Sequence, residues 1–248
     1  MPGRTMWVSR AALLLALGSA AAAILAGFGS RIGWWHFRIG FQILTWAAYG
    51  GLAGAVLGLL GGLAALWRGP RRGAWLALIA LVIGLLVVGI PWQMKRTAQQ
   101  VPAIHDITTD TDNPPGFVAV LPLRKDAPNS ADYGGPDIAA QQRAAYPDLR
   151  PVPLPVPTRK AFAQALQAAE AMGWEIVATD AEEGRIEATD TTFWFGFKDD
   201  VVVRIQAQGD ESLVDVRSVS RVGKSDVGTN AQRIRVYLRK LDRAGSPS

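Results

Sequence analysis

Long apolar runs fill the first third of this chain, and shorter periodic patterns take over near its end. Residues 11–28 are Leu/Ala-rich, 43–66 are uncharged throughout, and 74–90 are uncharged up to Pro91. A membrane-spanning helix needs about 20 apolar residues, because each adds about 1.5 Å across a hydrocarbon layer about 30 Å thick. All three runs fall within the workable range of roughly 17–25 residues, the first and third near its lower end. Trp34, Trp35, Trp46, Tyr49, Trp67, Trp75 and Trp92 cluster at their ends, where indole and phenol rings favour the headgroup layer. The competing interpretation, three buried helices of a soluble domain, fits neither the lengths nor the flanks. The pattern predicts a transmembrane region over 1–95, with helices at about 11–28, 43–66 and 74–92.

Residues 96–157 are rich in Pro, Asp and Gly and show little periodicity. Residues 117–121 offer one short strand. Pro147, Pro151, Pro153, Pro155 and Pro157 favour an extended connector laid on the domain surface. A core follows over 158–243. Thr158 is a suitable N-cap, and Phe162, Leu166, Ala169 and Met172 make a helical stripe that stops at Gly173. Alternation then marks four strands, near 174–178, 186 onward toward Phe197, 201–206 and 214–217. Their short connections require antiparallel neighbours. A last helix starts near Ser225 or Asp226 and ends near Leu241, with Ala231, Ile234, Leu238 and Leu241 inward and Arg233, Arg235, Arg239 and Lys240 toward water. The expected fold is a three-helix transmembrane region followed by an α+β domain built as helix, four-stranded antiparallel meander, helix.

Charge sharpens the division. The first 104 residues carry Arg4, Arg10, Arg31, Arg38, Arg68, Arg71, Arg72, Lys95 and Arg96 but no Asp or Glu. The remainder holds all 21 acidic residues. The net charge of +5 therefore belongs to the membrane part and is no sign of nucleic-acid binding. With the N-terminus inside, the inner segments hold Arg4, Arg10, Arg68, Arg71 and Arg72 against Arg31, Arg38, Lys95 and Arg96 outside. This small positive-inside bias puts the C-terminal domain beyond the cytoplasm. Cleavage of the first run as a signal peptide, near the small residues 19–23, leads to the same side. The chain has no cysteine, so neither disulfides nor thiol lipidation enter the argument.

The spans contain no Asp, Glu, Lys, Arg or His, which favours an anchor over a transport route. Gly50, Gly54, Gly58 and Gly62 share one helix face at four-residue spacing. That groove serves either packing within the hairpin or homo-oligomerisation.

Candidate chemistry lies in the core. Ser218-Val-Ser-Arg-Val-Gly-Lys-Ser225 is one residue short of a phosphate-binding loop, but Ser218 stands where the first glycine is needed, and a meander lacks the required parallel sheet. Arg221, Lys224 and Ser225 beside a helix start make a milder anion-binding candidate. The bland alternative is a simple helix cap. Asp190, Arg217, Ser220 and Lys224 form a polar group in which a Ser-Lys pair would suit acyl transfer if the amine were dry; cross-strand pairing explains the same residues. Phe193, Trp194, Phe195 and Phe197 are read either as core filling, as an apolar pocket, or as a lip on the bilayer surface. His105 with Asp106, Asp110 and Asp112 lacks the spacing of a metal site, so neither metal nor other cofactor is expected. His36 belongs to the membrane interface.

Two stretches, Ile186-Glu-Ala-Thr-Asp-Thr-Thr-Phe-Trp-Phe-Gly-Phe-Lys-Asp-Asp-Val-Val-Val-Arg-Ile205 and the run from Val214 to Ile234, resemble the family known as domain of unknown function 1499. The segment Ile104-His-Asp-Ile-Thr-Thr-Asp resembles it too, so the likeness covers about 101–243. It implies a bacterial, often membrane-attached protein and brings no catalytic residues with it. The combined expectation is an envelope protein of the inner membrane whose exported domain binds another envelope protein or a small ligand without catalysis. A hydrolase built on Asp190, Arg217, Ser220 and Lys224 is the alternative.

Overall fold

The computed structural model describes residues 2–68 and 71–245, without the side chains of Pro2, Gly3, Arg4 and Arg68. Two of the cations used to orient the chain, Arg4 and Arg68, thus lie outside the described side chains. The chain divides into one unit of Met1–Arg96 with Phe193–Gly196 and another of Thr97–Thr192 with Phe197–Ser248.

The first unit contains α1 (Pro2–Arg31), α2 (Phe37–Arg68) and α3 (Arg71–Gln100), each long and apolar enough to cross a membrane. All three overrun their apolar stretches, because hydropathy marks only the part that needs lipid while backbone hydrogen bonding continues past it. α3 runs through Pro91 to Gln100.

Small residues line the helix contacts. A Cβ on Gly54 would lie 3.2 Å from that of Ala16, and one on Gly58 would lie 2.7 Å from the Ala77 carbonyl oxygen. Gly50 faces Ser19 of α1, and Gly62 faces Ala77 of α3. The glycine stripe is therefore shared between the two neighbouring helices. Leu14, Trp46, Leu63, Trp67 and Leu86 point outward and are exposed. Small inside and large outside is stable only where the solvent is itself apolar.

The second unit contains β1 (Asp106–Thr108), a 3-10 turn (Leu121–Arg124), α4 (Pro136–Ala145), β2 (Val152–Leu154), α5 (Thr158–Ala171), β3 (Glu175–Asp180), β4 (Arg185–Thr191), β5 (Lys198–Gln208), β6 (Glu211–Ser220) and α6 (Thr229–Gly245). The expected meander, β3 to β6, forms most of the sheet, with β3 at one edge in the strand order β1-β6-β5-β4-β3. The stretch expected to be irregular supplies two more strands. β1 pairs with Arg217–Val219 and β2 with Ser212–Val214, both antiparallel and end to end along β6. Three-residue strands recruited by a distant partner leave no local periodicity to detect.

Helices cover one sheet face. Ile107, Ile186, Val203 and Val216 meet Ala165, Ile234, Tyr237 and Leu241 in one apolar cluster. Trp174 stacks on Tyr237 at 5.1 Å, and the Tyr237 hydroxyl donates to the Ala165 carbonyl. Two helix details differ from expectation. Pro157 holds the N-cap position of α5, so Thr158 is its first helical residue. Its buried stripe is Ala161, Ala165, Ala168 and Ala169, with Phe162, Leu166 and Met172 on the flank.

The opposite face lies under the irregular chain between β1 and α4. Residues 117–121 are not a strand. Their backbone is held by a carboxylate: Glu187 accepts from Val118 and Ala119 N–H at 3.0 Å and from Val120 N–H at 3.0 Å, and Arg185 pairs with it at 3.1 Å. Arg217 makes a two-point bond to Asp106 at 2.9 and 2.7 Å and donates to the Pro115 and Ala131 carbonyls. The rings of Phe117 and Tyr133 flank its guanidinium; burial above all pushes the Tyr133 phenol up to about 12. Arg124 bonds Asp200 at 2.6 Å and the Asn129 carbonyl at 3.1 Å. Arg204 joins Asp215 and Asp110. Irregular chain cannot satisfy its own amides and carbonyls, so charged side chains rising from the strands do it.

Candidate functional site

The start of α6 combines strain, buried charge and a concavity. Asp226 accepts from Gly228 N–H at 2.9 Å and Asn230 N–H at 2.7 Å, satisfying donors that a helix start leaves open. Burial raises its carboxyl above the ordinary range, with Asp199 adding to the rise, against those two amides and Arg233. Between Asp226 and the helix lies Val227 at φ +56°, the one non-glycine residue at positive φ among those described. A β-branched side chain is costly there, and such strain gathers at functional sites.

Beneath this turn, Arg233 corrects the sequence reading that turned it to water. It is buried, bonding Asp190 at 2.7 Å and Asp199 at 2.5 Å. It also donates to Ser218 Oγ at 3.1 Å and to Asn230 Oδ1. Asn230 in turn donates to Ser220 Oγ and the His105 carbonyl, each at 3.0 Å. Asn230 precedes Arg233 by three and Tyr237 follows it by four. That helical spacing was the available sign that Arg233 flanks the buried stripe. Asp190 is the member of this group that reaches the surface, its side chain 31% exposed. It borders a concavity of about 440 Å³ lined by Met172, Val227, Val236, Thr229 and Gln232, with Arg233 at its floor.

The four residues of the hydrolase candidate are not brought together. Asp190 serves Arg233, Arg217 serves Asp106 on the other sheet face, Ser220 serves Asn230, and Lys224 is exposed. The anion candidates are likewise dispersed. Arg221 bonds both Asp200 oxygens at 2.8 and 2.7 Å, Ser225 accepts from Val227 N–H, and the seat at the head of α6 holds Asp226. Asp106, Asp110 and Asp112 pair with Arg217, Arg204 and Arg143 respectively.

The aromatic group does not alternate on a strand. β4 stops at Thr191, and a turn with Gly196 at φ +69° follows. Within the first unit, Phe193 is exposed and edge-on to Phe28. Trp194 donates to the Ile24 carbonyl, and Phe195 is buried against Phe41. Phe197 belongs to the second unit and donates its N–H to Thr192 Oγ1.

Spanning helices joined to an α+β domain define a membrane-inserted protein with one soluble module. The module matches the family described as Protein of unknown function (DUF1499) over residues 106–241, and the chain belongs to that family. Among solved structures it is similar to the crystal structure of TTHA0849 from Thermus thermophilus, at 11% identity over 38% of this chain and 93% of that one, with a TM-score of 0.25. No curated protein matches the chain.

Proposed function

We propose that this protein is a membrane-anchored binding module whose soluble domain lies outside the cytoplasm of a bacterial cell and takes a small ligand without transforming it. The concavity at the head of α6 carries the reading: Met172, Val227 and Val236 line it beside an Asp190 carboxylate with one oxygen engaged by Arg233. Pockets of this kind bind through an apolar body and a few placed polar groups. Arg233 is shared between Asp190 and Asp199, with Asp226 close by, so acids outnumber bases. The matching ligand offers hydrogen-bond donors or a positive charge to Asp190. The placement outside the cytoplasm rests on the bias of cations toward the loops on the other side.

The test is thermal unfolding of the full chain in detergent against a panel of small amines and polyols. A binder raises the midpoint in a saturable way, and Asp190→Asn abolishes the rise. Chemical turnover of a bound compound, seen by mass spectrometry, would replace this reading with the hydrolase. A reporter fused to the C-terminus tests the side; cytoplasmic signal overturns the export.

A further inference from the structure

Among the described residues of the second unit, the exposed large hydrophobics are Val118 at 54%, Leu121 at 46% and Leu123 at 54%. All lie within six residues of chain, with Lys125 exposed just beyond. This is no slack loop. Glu187 holds the amides of residues 118–120, Arg124 is bonded to Asp200, and Arg221 donates to the Leu123 carbonyl at 3.0 Å. Buried charge therefore fixes these apolar side chains in an outward position.

Strand register places Leu123 at one end of the sheet, while Val118 is held over Glu187 in the middle of β4. Arg221 reaches Leu123 from just past the end of β6 and donates its N–H to the Lys198 carbonyl at the start of β5. Lys198 faces Thr191, the last residue of β4. At the same end β1 begins, with Asp106 opposite Val219. The chain arrives at β1 from α3 through residues 101–105 alone, and a segment that short spans at most about 18 Å. This end of the sheet, and not the turn between β5 and β6, is therefore the one that the short linker tethers to α3.

We infer that Val118, Leu121 and Leu123 seat in the headgroup–acyl boundary of the protein's own membrane, with Lys125 beside lipid phosphate. Interfacial anchoring of this kind joins modest apolar burial to a flanking cation. It is independent of the ligand reading, which concerns the other face of the sheet.

The chain has no cysteine, so single introduced thiols report one place each. Leu121→Cys and Leu123→Cys carry an environment-sensitive nitrobenzoxadiazole label, and Asp210→Cys, exposed in the turn between β5 and β6 at the far end, is the reference. Full-length protein is reconstituted in phosphatidylcholine–phosphatidylglycerol vesicles with and without lipid bearing a shallow nitroxide. The expected result is blue-shifted emission at 121 and 123 that the nitroxide quenches at least twofold, with the label at 210 unshifted and unquenched. Water-like, unquenched emission at 121 and 123 overturns the proposal. Blue-shifted but unquenched emission also overturns it, since it means a protein surface covers the patch. Val118→Cys reads the same surface should either label disturb the turn.

Discussion

The two faces of the soluble sheet are both buried, yet by opposite means. Helices α5 and α6 cover one face, and each satisfies its own backbone. What they ask of the strands is apolar surface, and Ile107, Ile186, Val203 and Val216 supply it. Irregular chain covers the other face and brings unpaired amides and carbonyls with it. There the strands present Glu187, Asp200, Arg217 and Asp215, all buried. The covering dictates the chemistry beneath it: a layer that pairs its own backbone can be met with hydrocarbon, and one that cannot must be met with charge.

That contrast ranks substitutions. Glu187→Ala strands three amides and Arg185 and is expected to cost about 3–5 kcal/mol, read by urea unfolding of the full chain in detergent. Ile234→Ala, on the helix-covered face, removes apolar packing and should cost about 3 kcal/mol. If the glutamate variant proves the milder of the two, the contrast between the faces fails. Tyr237→Phe removes one bond to the Ala165 carbonyl and is expected to cost about 1 kcal/mol. Arg235→Ala breaks a largely exposed pair with Asp148 and should change stability by less than about 0.5 kcal/mol.

Acid titration sharpens the comparison. Burial pushes Asp200 upward, but bonds from Arg221, Thr189 and Arg124 outweigh it and leave the carboxyl below its ordinary range. Its folded value lies below the unfolded value of about 3.9. Its stabilisation is complete above that pH and fades as pH falls through the lower folded value. Asp200→Asn should therefore flatten the loss of stability below about pH 4. Asp226, raised by burial, has the reverse sign. Acidification from its folded value toward the unfolded one favours the folded state, and Asp226→Asn should remove that gain. Unfolding midpoints measured across pH 3–7 separate the two.

The meander and its inward residues were legible because Val201, Val203 and Ile205 alternate against Val202 and Arg204 over a long strand. The same alternation misled about the other face. Arg217 was read as part of a polar group with Asp190, Ser220 and Lys224 or as a cross-strand partner, and nothing local showed that residues 109–135 lie over it. A usable sign was the company it keeps: arginines and acids on adjacent strands, facing one way, beside a stretch too poor in periodicity to pair its own backbone. The aromatic run from Phe193 misled differently. Its residues have high strand propensity, but Gly196 turns the chain. The candidate concavity was half visible. Asp190 was singled out and Asp226 named as a helix cap, while Arg233 was missed because an arginine on a charge-rich helix normally faces water.

Strand β6 receives β1, β2 and β5 along its two edges, and its Arg217 meets Asp106 across 111 residues of sequence. During synthesis the stretch holding β1 and β2 leaves the ribosome well before the strand that organises it. It must wait as loose polypeptide, and pairings between distant residues form slowly. A domain wired this way cannot lock until its last long strand has been made.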